Sequence, residues 1–83
     1  MMYSISKHAK QQLEIRNINE ELLDVIINNP DNIIVDEKCT HIFQKIIFVG
    51  SKEYLYRIFV NICKEPMLII TGYRTSKIGK YGN

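Results

Sequence analysis

Apolar and polar positions follow two different periods along this chain. In the first 30 residues the apolar positions recur every three or four residues, the spacing of an amphipathic helix. This spacing predicts a first helix from about Lys7 to Arg16, with Ser6 as its N-cap. Its buried stripe is formed by Ile5, Ala9 and Leu13. Asn17 follows, and asparagine tolerates the left-handed conformation that ends many helices.

A second helix is indicated by a clear start signal. Asn19 is a good N-cap, and it is followed by two glutamates, which favour the positive N-terminus of a helix. Ile18 and Leu23 are spaced as a hydrophobic staple across that cap. The apolar side of the helix is supplied by Leu22, Leu23, Val25, Ile26 and Ile27. The segment Asn28-Asn29-Pro30 ends it.

After Pro30 the sequence becomes rich in β-branched and aromatic residues. Four runs predict strands, at residues 32–35, 41–49, 54–63 and 67–73. The connections are short, so the strands should form an antiparallel meander. Because the helices precede the strands, the sequence predicts one α+β domain over residues 1–83, with two N-terminal helices packed on one face of a four-stranded antiparallel sheet.

The third predicted strand separates two faces of that sheet. The alternate residues Tyr54, Tyr56, Ile58, Val60 and Ile62 suit the face under the helices. The other set is Leu55, Arg57, Phe59, Asn61 and Cys63. An arginine in a central strand must reach water or an anion. Two interpretations stay open for Arg57: an ion pair with Asp36 or Glu37, or a role in binding an anion.

The distribution of charge along the chain is more informative than the net charge of +2. Residues 17–38 hold six acidic side chains and one lysine, whereas the last thirteen residues hold three cations and no acid. Basic chain ends that folding brings together would form a positive patch. Each lysine taken singly is better explained as solvated surface charge.

Cysteine content and apolar runs bound the class of protein. Two cysteines are too few for a disulfide scaffold, and Cys39-x-His41 lacks a second ligand pair at zinc-finger spacing. The sequence therefore predicts two reduced thiols, no metal site and no cofactor. The start of the chain has no apolar signal-peptide core and no run is long enough to span a bilayer, so we expect a cytoplasmic protein without a membrane partner.

A polar stripe borders the buried side of the first helix. His8, Gln12 and Arg16 are spaced four residues apart and share one edge of that helix. A histidine at such an edge is half-buried, where its pKa can be tuned. The alternative is that His8 only borders the core and that Arg16 pairs with Glu20 across the turn.

Two long segments carry a resemblance to a known family. The segment HAKQQLEIRNINEELLDVIINNPDNII at 8–34 and the ending LIITGYRTSKIGKY at 68–81 resemble a small bacterial family of about eighty residues, allied to the RelE/ParE and BrnT-type toxins of toxin–antitoxin systems. Gln12 and Asn17 stand where that family often has arginine and glycine. The resemblance implies a RelE-like fold, a cognate antitoxin protein as partner, and a metal-independent endoribonuclease acting on messenger RNA, including messenger RNA on the ribosome.

Such a nuclease needs a base, cations that stabilise the pentacoordinate phosphorus, and an acid. His8 is the natural base or acid, and a guanidinium fork fits phosphate oxygens. The candidate catalytic residues are His8, Arg57, Arg74 and Tyr81. The candidate RNA-binding residues are Arg16, Tyr73, Lys77 and Lys80. Tyr73 is better explained as strand packing.

A non-catalytic alternative stays open. The chain can instead be a protein-binding module, such as a ParE-like inhibitor or a degenerate toxin-like domain. Geometry separates the two hypotheses: the nuclease requires His8, Arg57 and Arg74 to converge on one surface, whereas residues scattered over different faces favour the binding module.

Overall fold

The helices and strands of this chain form two layers. The computed structural model describes residues 2–81 as five strands and three helices. In chain order these are β1 Tyr3–Ile5, α1 Lys7–Ile15, α2 Glu20–Asn28, β2 Asn32–Val35, β3 Thr40–Val49, β4 Lys52–Asn61, β5 Met67–Thr75 and α3 Ile78–Tyr81. The α+β class predicted from the sequence is confirmed.

The sheet differs from the prediction in strand number and direction. It has five strands in the order β1-β5-β4-β3-β2, and β1 runs parallel to β5. The predicted four-stranded, purely antiparallel sheet with only two helices is therefore wrong. The three residues of β1 are too few to show a period, and their partners, from Met67 to Ile69, lie more than sixty residues away along the chain. Ile5, expected on the first helix, belongs to β1 and packs on the core from there.

Local capping sets the limits of the two main helices. The side chain of Ser6 accepts a hydrogen bond from the Ala9 amide at 3.0 Å, and that of Asn19 accepts one from the Leu22 amide at 2.8 Å. Asn17 has φ = 60°, so it adopts the left-handed conformation expected of it after α1. These side chains end one helix and begin the next within a few residues.

The hydrophobic core lies between the helices and one face of the sheet. Its buried residues include Ala9, Leu13, Ile18, Leu23, Ile26, Ile27, Phe43, Tyr56, Ile58, Val60 and Ile69. On β4 these are the alternate residues that the sequence assigned to the helix side. We call the opposite side of the sheet the far face. Arg57 lies there, since its antiparallel partners are Gln44 and Tyr73, whereas its neighbour Ile58 is in the core.

Acidic and basic side chains are unevenly distributed over the elements of the fold. The acidic segment 17–38 contains α2 and the edge strand β2. The basic end of the chain continues from β5, on the other side of the sheet, and α1 packs on β5. Carboxylates nevertheless lie at both edges, because Asp24 of α2 accepts a hydrogen bond from the Tyr3 hydroxyl on β1, the edge strand beside β5.

The prediction of two reduced thiols is wrong. Cys39 and Cys63 form a disulfide with their Cα atoms 5.3 Å apart. Pairing of β3 with β4 brings the two loops together, and the Ile62 amide donates to the Cys39 carbonyl at 2.8 Å. Sequence spacing could not reveal this proximity, because 24 residues separate the two cysteines. No helix in the described part of the chain is long and apolar enough to cross a membrane.

Candidate functional site

A line of four hydrogen-bonded side chains crosses the far face of the sheet. Asn32, Gln44, Arg57 and Tyr73 are direct partners on β2, β3, β4 and β5, so they stand in one row, which we call the polar row. Gln44 donates from Nε2 to Asn32 Oδ1 at 3.1 Å and accepts at Oε1 from Arg57 Nε at 2.6 Å. Arg57 Nη1 donates to Tyr73 Oη at 2.6 Å. The row fixes the direction of the Arg57 guanidinium.

Burial makes this arrangement rigid at its centre. The side chain of Gln44 is 1% exposed, and both ends of its amide are hydrogen-bonded. A buried amide left without partners would cost about 1–3 kcal/mol, so its two bonds strongly favour the observed orientation. The partners of Arg57 in this row are the neutral groups of Gln44 and Tyr73, and not Asp36 or Glu37, and these bonds set the direction of its guanidinium.

Aromatic rings surround Arg57 on the same face. The Phe59 and Tyr73 rings are stacked, with centroids 6.2 Å apart. The Arg57 Cζ atom lies 5.6 Å from the Phe59 centroid and 5.8 Å from the Tyr73 centroid. Each contact is within cation–π range. The result is a half-buried guanidinium beside two ring faces. A guanidinium suits the binding of phosphate, and ring faces suit the stacking of nucleobases.

The polar stripe of α1 is attached to the edge of β5 next to this row. Arg16 Nη1 donates to the Gly72 carbonyl at 2.8 Å, rather than pairing with Glu20. Thr71 Oγ1 donates to Gln12 Oε1 at 2.5 Å. The close approach of α1 depends on Gly72, where an added Cβ would lie 2.9 Å from Leu13 Cδ2. The hydrogen bond to the Gly72 carbonyl places the Arg16 guanidinium at the residue that precedes Tyr73 in the sequence of β5.

Arg74 lies on the opposite face from Arg57. Its strand partner is Tyr56, a core residue, and its Nη1 donates to Tyr56 Oη at 3.1 Å. The Arg74 guanidinium also stacks over Tyr54, 4.2 Å from the ring centroid. The hydrogen bond to Tyr56 raises the pKa of Arg74. The expectation that Arg57 and Arg74 hold one phosphate together is wrong, because adjacent strands alternate faces in phase and place the two side chains on opposite sides of the sheet.

The remaining predicted residues do not complete a single cluster. His8 is exposed on α1, and its side chain makes no hydrogen bond or ion pair with another described residue. Lys77, just before α3, and Lys80, within it, are exposed. The side chain of Tyr81 lies outside the described residues. The structure thus brings Arg57 and Tyr73 together and bonds Arg16 to the Gly72 carbonyl next to Tyr73, whereas no hydrogen bond or ion pair between described side chains joins His8 or Arg74 to this group.

Two other features of the helix side were considered for chemistry. A cleft of about 420 Å³ between α1 and α2 is lined by Lys10, Glu14 and Glu20 among others, and it contains none of the predicted site residues. Within residues 2–81 no group of three or more His, Cys, Asp or Glu side chains is placed to hold a metal ion. Cys39 is disulfide-bonded, so it has no thiol for binding a metal. The far face therefore carries the candidate site.

Sequence reasoning missed three residues of this site. Gln44 was overlooked although it is polar within the apolar run HIFQKIIFV, which is a signal that a buried partner is needed. Phe59 was assigned to the correct face but was given no role. Asn32 carries no signal of its own, since only the register of β2 with β3 brings it to Gln44.

Comparisons with known proteins add no relative. No protein-family model, curated protein or solved structure matches this chain.

Proposed function

We propose that this chain is the toxin component of a type II toxin–antitoxin system and that it binds single-stranded RNA on the far face of its sheet. The observation that carries the proposal is the Arg57 guanidinium, oriented by Gln44 and Tyr73 and flanked by two aromatic rings. A guanidinium held in this way offers directed donors to a phosphate, and ring faces beside it can stack on an unpaired base.

Other cations extend this surface. Arg16 lies at the β5 edge beside Tyr73, and the exposed Lys77 and Lys80 follow β5 in the chain. Such cations attract the RNA backbone without reading its sequence. The acidic edge at β2 would repel RNA, so binding is expected to follow β4 and β5 and not the whole sheet. Messenger RNA in the cytoplasm and a cognate antitoxin are the partners this function requires.

Metal-independent cleavage is the catalytic form of this proposal. The RNA 2′-oxygen attacks phosphorus after losing its proton to a base, a cyclic phosphate forms, and the 5′-oxygen leaves with a proton from an acid. Tyr73 is the proton-bearing group that already contacts Arg57. His8 would reach the RNA only if the bound strand passes along α1.

One observation favours a second candidate, the non-catalytic binding module. Arg57 and Arg74 lie on opposite faces, and His8 is not part of the polar row. A protein that binds RNA or another protein without cutting needs no such convergence. Arg74 then has a structural role, since it provides the hydrogen bond of the buried Tyr56 hydroxyl.

The two faces allow a matched binding experiment. Fluorescence anisotropy with a labelled single-stranded RNA oligonucleotide should show that Arg57→Ala weakens binding by roughly tenfold or more, since a charge-assisted hydrogen bond contributes about 1.5–3 kcal/mol. Arg74→Lys keeps a cation on the other face and should bind like the wild type. Equal losses in both variants, or no loss in Arg57→Ala, would contradict an RNA site on the far face.

Cleavage is tested separately from binding. Expression in a bacterial host, with growth and total RNA integrity followed in parallel, shows whether the chain arrests growth and whether RNA is cut. Tyr73→Phe keeps the ring and removes the hydroxyl, so it should abolish cleavage while RNA binding falls by less than threefold if Tyr73 transfers a proton. Growth arrest with intact RNA would support the binding module instead, and cleavage that is lost in EDTA would rule out the metal-independent mechanism.

A further inference from the structure

The edge strand β2 exposes backbone groups that have no strand beside them. β2 is the last strand of the sheet, and only β3 pairs with it. The Asp36 backbone amide donates to the Thr40 carbonyl at 3.0 Å, and this pair continues the register of β2 with β3. Because bonded residues alternate along an antiparallel strand, Asn32 and Ile34 also direct their backbone groups toward β3. Ile33 and Val35 alternate with them, and their amides and carbonyls point outward. Four backbone groups are thus available to another strand.

The side chains of the same two residues are also exposed. Ile33 is 46% exposed and Val35 is 67% exposed, and both lie on the helix side of the sheet. Natural edge strands are commonly protected by their shortness or by a lysine, a proline or a bulge within the strand. Asn32–Val35 is short, with four residues, but contains neither lysine nor proline. Outward backbone groups next to exposed β-branched side chains form the surface to which an extended peptide adds as a strand.

Charges at the two ends of β2 indicate which kind of partner strand would bind there. Asp31 precedes the strand, and Asp36 and Glu37 follow it, all exposed. Asp31 is paired with Lys45 at 3.4 Å, so the stronger negative charge lies at the Asp36–Glu37 end. A second copy of this chain is disfavoured, because antiparallel self-pairing of β2 about Ile34 would place Asp31 of each copy opposite Glu37 of the other.

We propose that β2 is a docking site for an extended segment of a partner protein, with alternating β-branched residues and a lysine or arginine at each end. The segment adds as a sixth strand beside β2. Its backbone bonds to the outward groups of Ile33 and Val35, its apolar side chains cover theirs, and its cations face the flanking carboxylates. This site is on the opposite edge from the RNA-binding surface and does not depend on that function.

The test uses a synthetic peptide, acetyl-Lys-Thr-Ile-Thr-Val-Thr-Lys-amide, titrated into ¹⁵N-labelled protein. Amide shifts should concentrate at Ile33 and Val35, and the same peptide with glutamate in place of both lysines should bind at least tenfold more weakly. Val35→Pro removes an outward amide but no ladder bond, so the fold should be kept and binding reduced at least tenfold. Val49→Lys, another exposed site, is the matched control and should bind normally.

Several outcomes would overturn the docking site. These are peptide binding that Val35→Pro leaves unchanged, equal binding of the glutamate peptide, or no shifts at millimolar peptide. A protein that forms dimers by itself, in sedimentation experiments, and loses them in Val35→Pro would assign the edge to a second copy. A loss of RNA binding in Arg57→Ala has no bearing on these results, so the two proposals fail separately.

Discussion

Removal of the Cys39–Cys63 disulfide should strongly destabilise this protein. The bond connects the loop before β3 to the turn after β4, and it closes a chain segment with a sequence separation of 24. In the reduced protein that segment gains conformational freedom when it unfolds. The expected effect of Cys39→Ser with Cys63→Ser is therefore mainly a lower free energy of the unfolded state.

The size of this effect follows from the length of the closed segment. Chain-entropy bookkeeping for about 25 residues gives about 3.5 kcal/mol at room temperature. An 83-residue domain has a total free energy of unfolding of about 4–12 kcal/mol. The disulfide thus accounts for a large share of the stability of the oxidised protein.

Urea unfolding followed by circular dichroism measures this difference. With a slope of about 1 kcal/mol per molar urea, the double serine variant should unfold at about 3.5 M less urea than the oxidised wild type. The wild type in a strong reducing agent should match the variant, and the variant should not respond to that agent. A midpoint shift below about 0.5 M would refute the reasoning, because it would mean that the disulfide does not restrict the unfolded chain more than the folded protein.

Two further predictions concern packing and pH. Gly72→Ala should lower the free energy of unfolding by about 1–3 kcal/mol, because the added Cβ would lie 2.7 Å from Ile58 Cδ1 and 2.9 Å from Leu13 Cδ2. Thermal denaturation measures this loss, and an unchanged melting temperature would mean that α1 moves away freely. Burial, followed by the hydrogen bond to Asp24, raises the pKa of Tyr3, so its contribution to stability is present below about pH 10 and is lost as pH rises further. Urea midpoints from about pH 8 to about pH 11 should fall less steeply for Tyr3→Phe than for the wild type, and parallel curves would contradict the raised pKa.

The sequence was most informative where structure is set locally. Caps at Ser6 and Asn19 and the left-handed Asn17 are decided by a few neighbouring residues, and they were read correctly. The alternation along β4 likewise identified the face under the helices. Strand β1 could not be read in this way, because it is stabilised by parallel pairing with β5 from the far end of the chain.

The candidate site was predictable only in part for the same reason. Arg57 was recognisable as a cation within an apolar strand, and its partners in the polar row depend on three strand registers that no local pattern specifies. Arg57 and Arg74 both looked suited to phosphate by residue type. The register of β4 with β5 decides that they face opposite ways, and the register of β3 with β4 decides that Cys39 and Cys63 meet.

Carboxylates flank β2 at one edge of the sheet, whereas Arg74, Lys77 and Lys80 lie on or after β5, so charge is unevenly distributed over the molecule. Near a polyanion the protein should rotate so that these cations lead, before any contact forms. Screening limits this effect to about 8 Å at physiological salt, which is short beside the 37 Å long axis of the molecule. Rotational alignment therefore acts in the final stage of an encounter, and it should speed productive collisions most at low ionic strength.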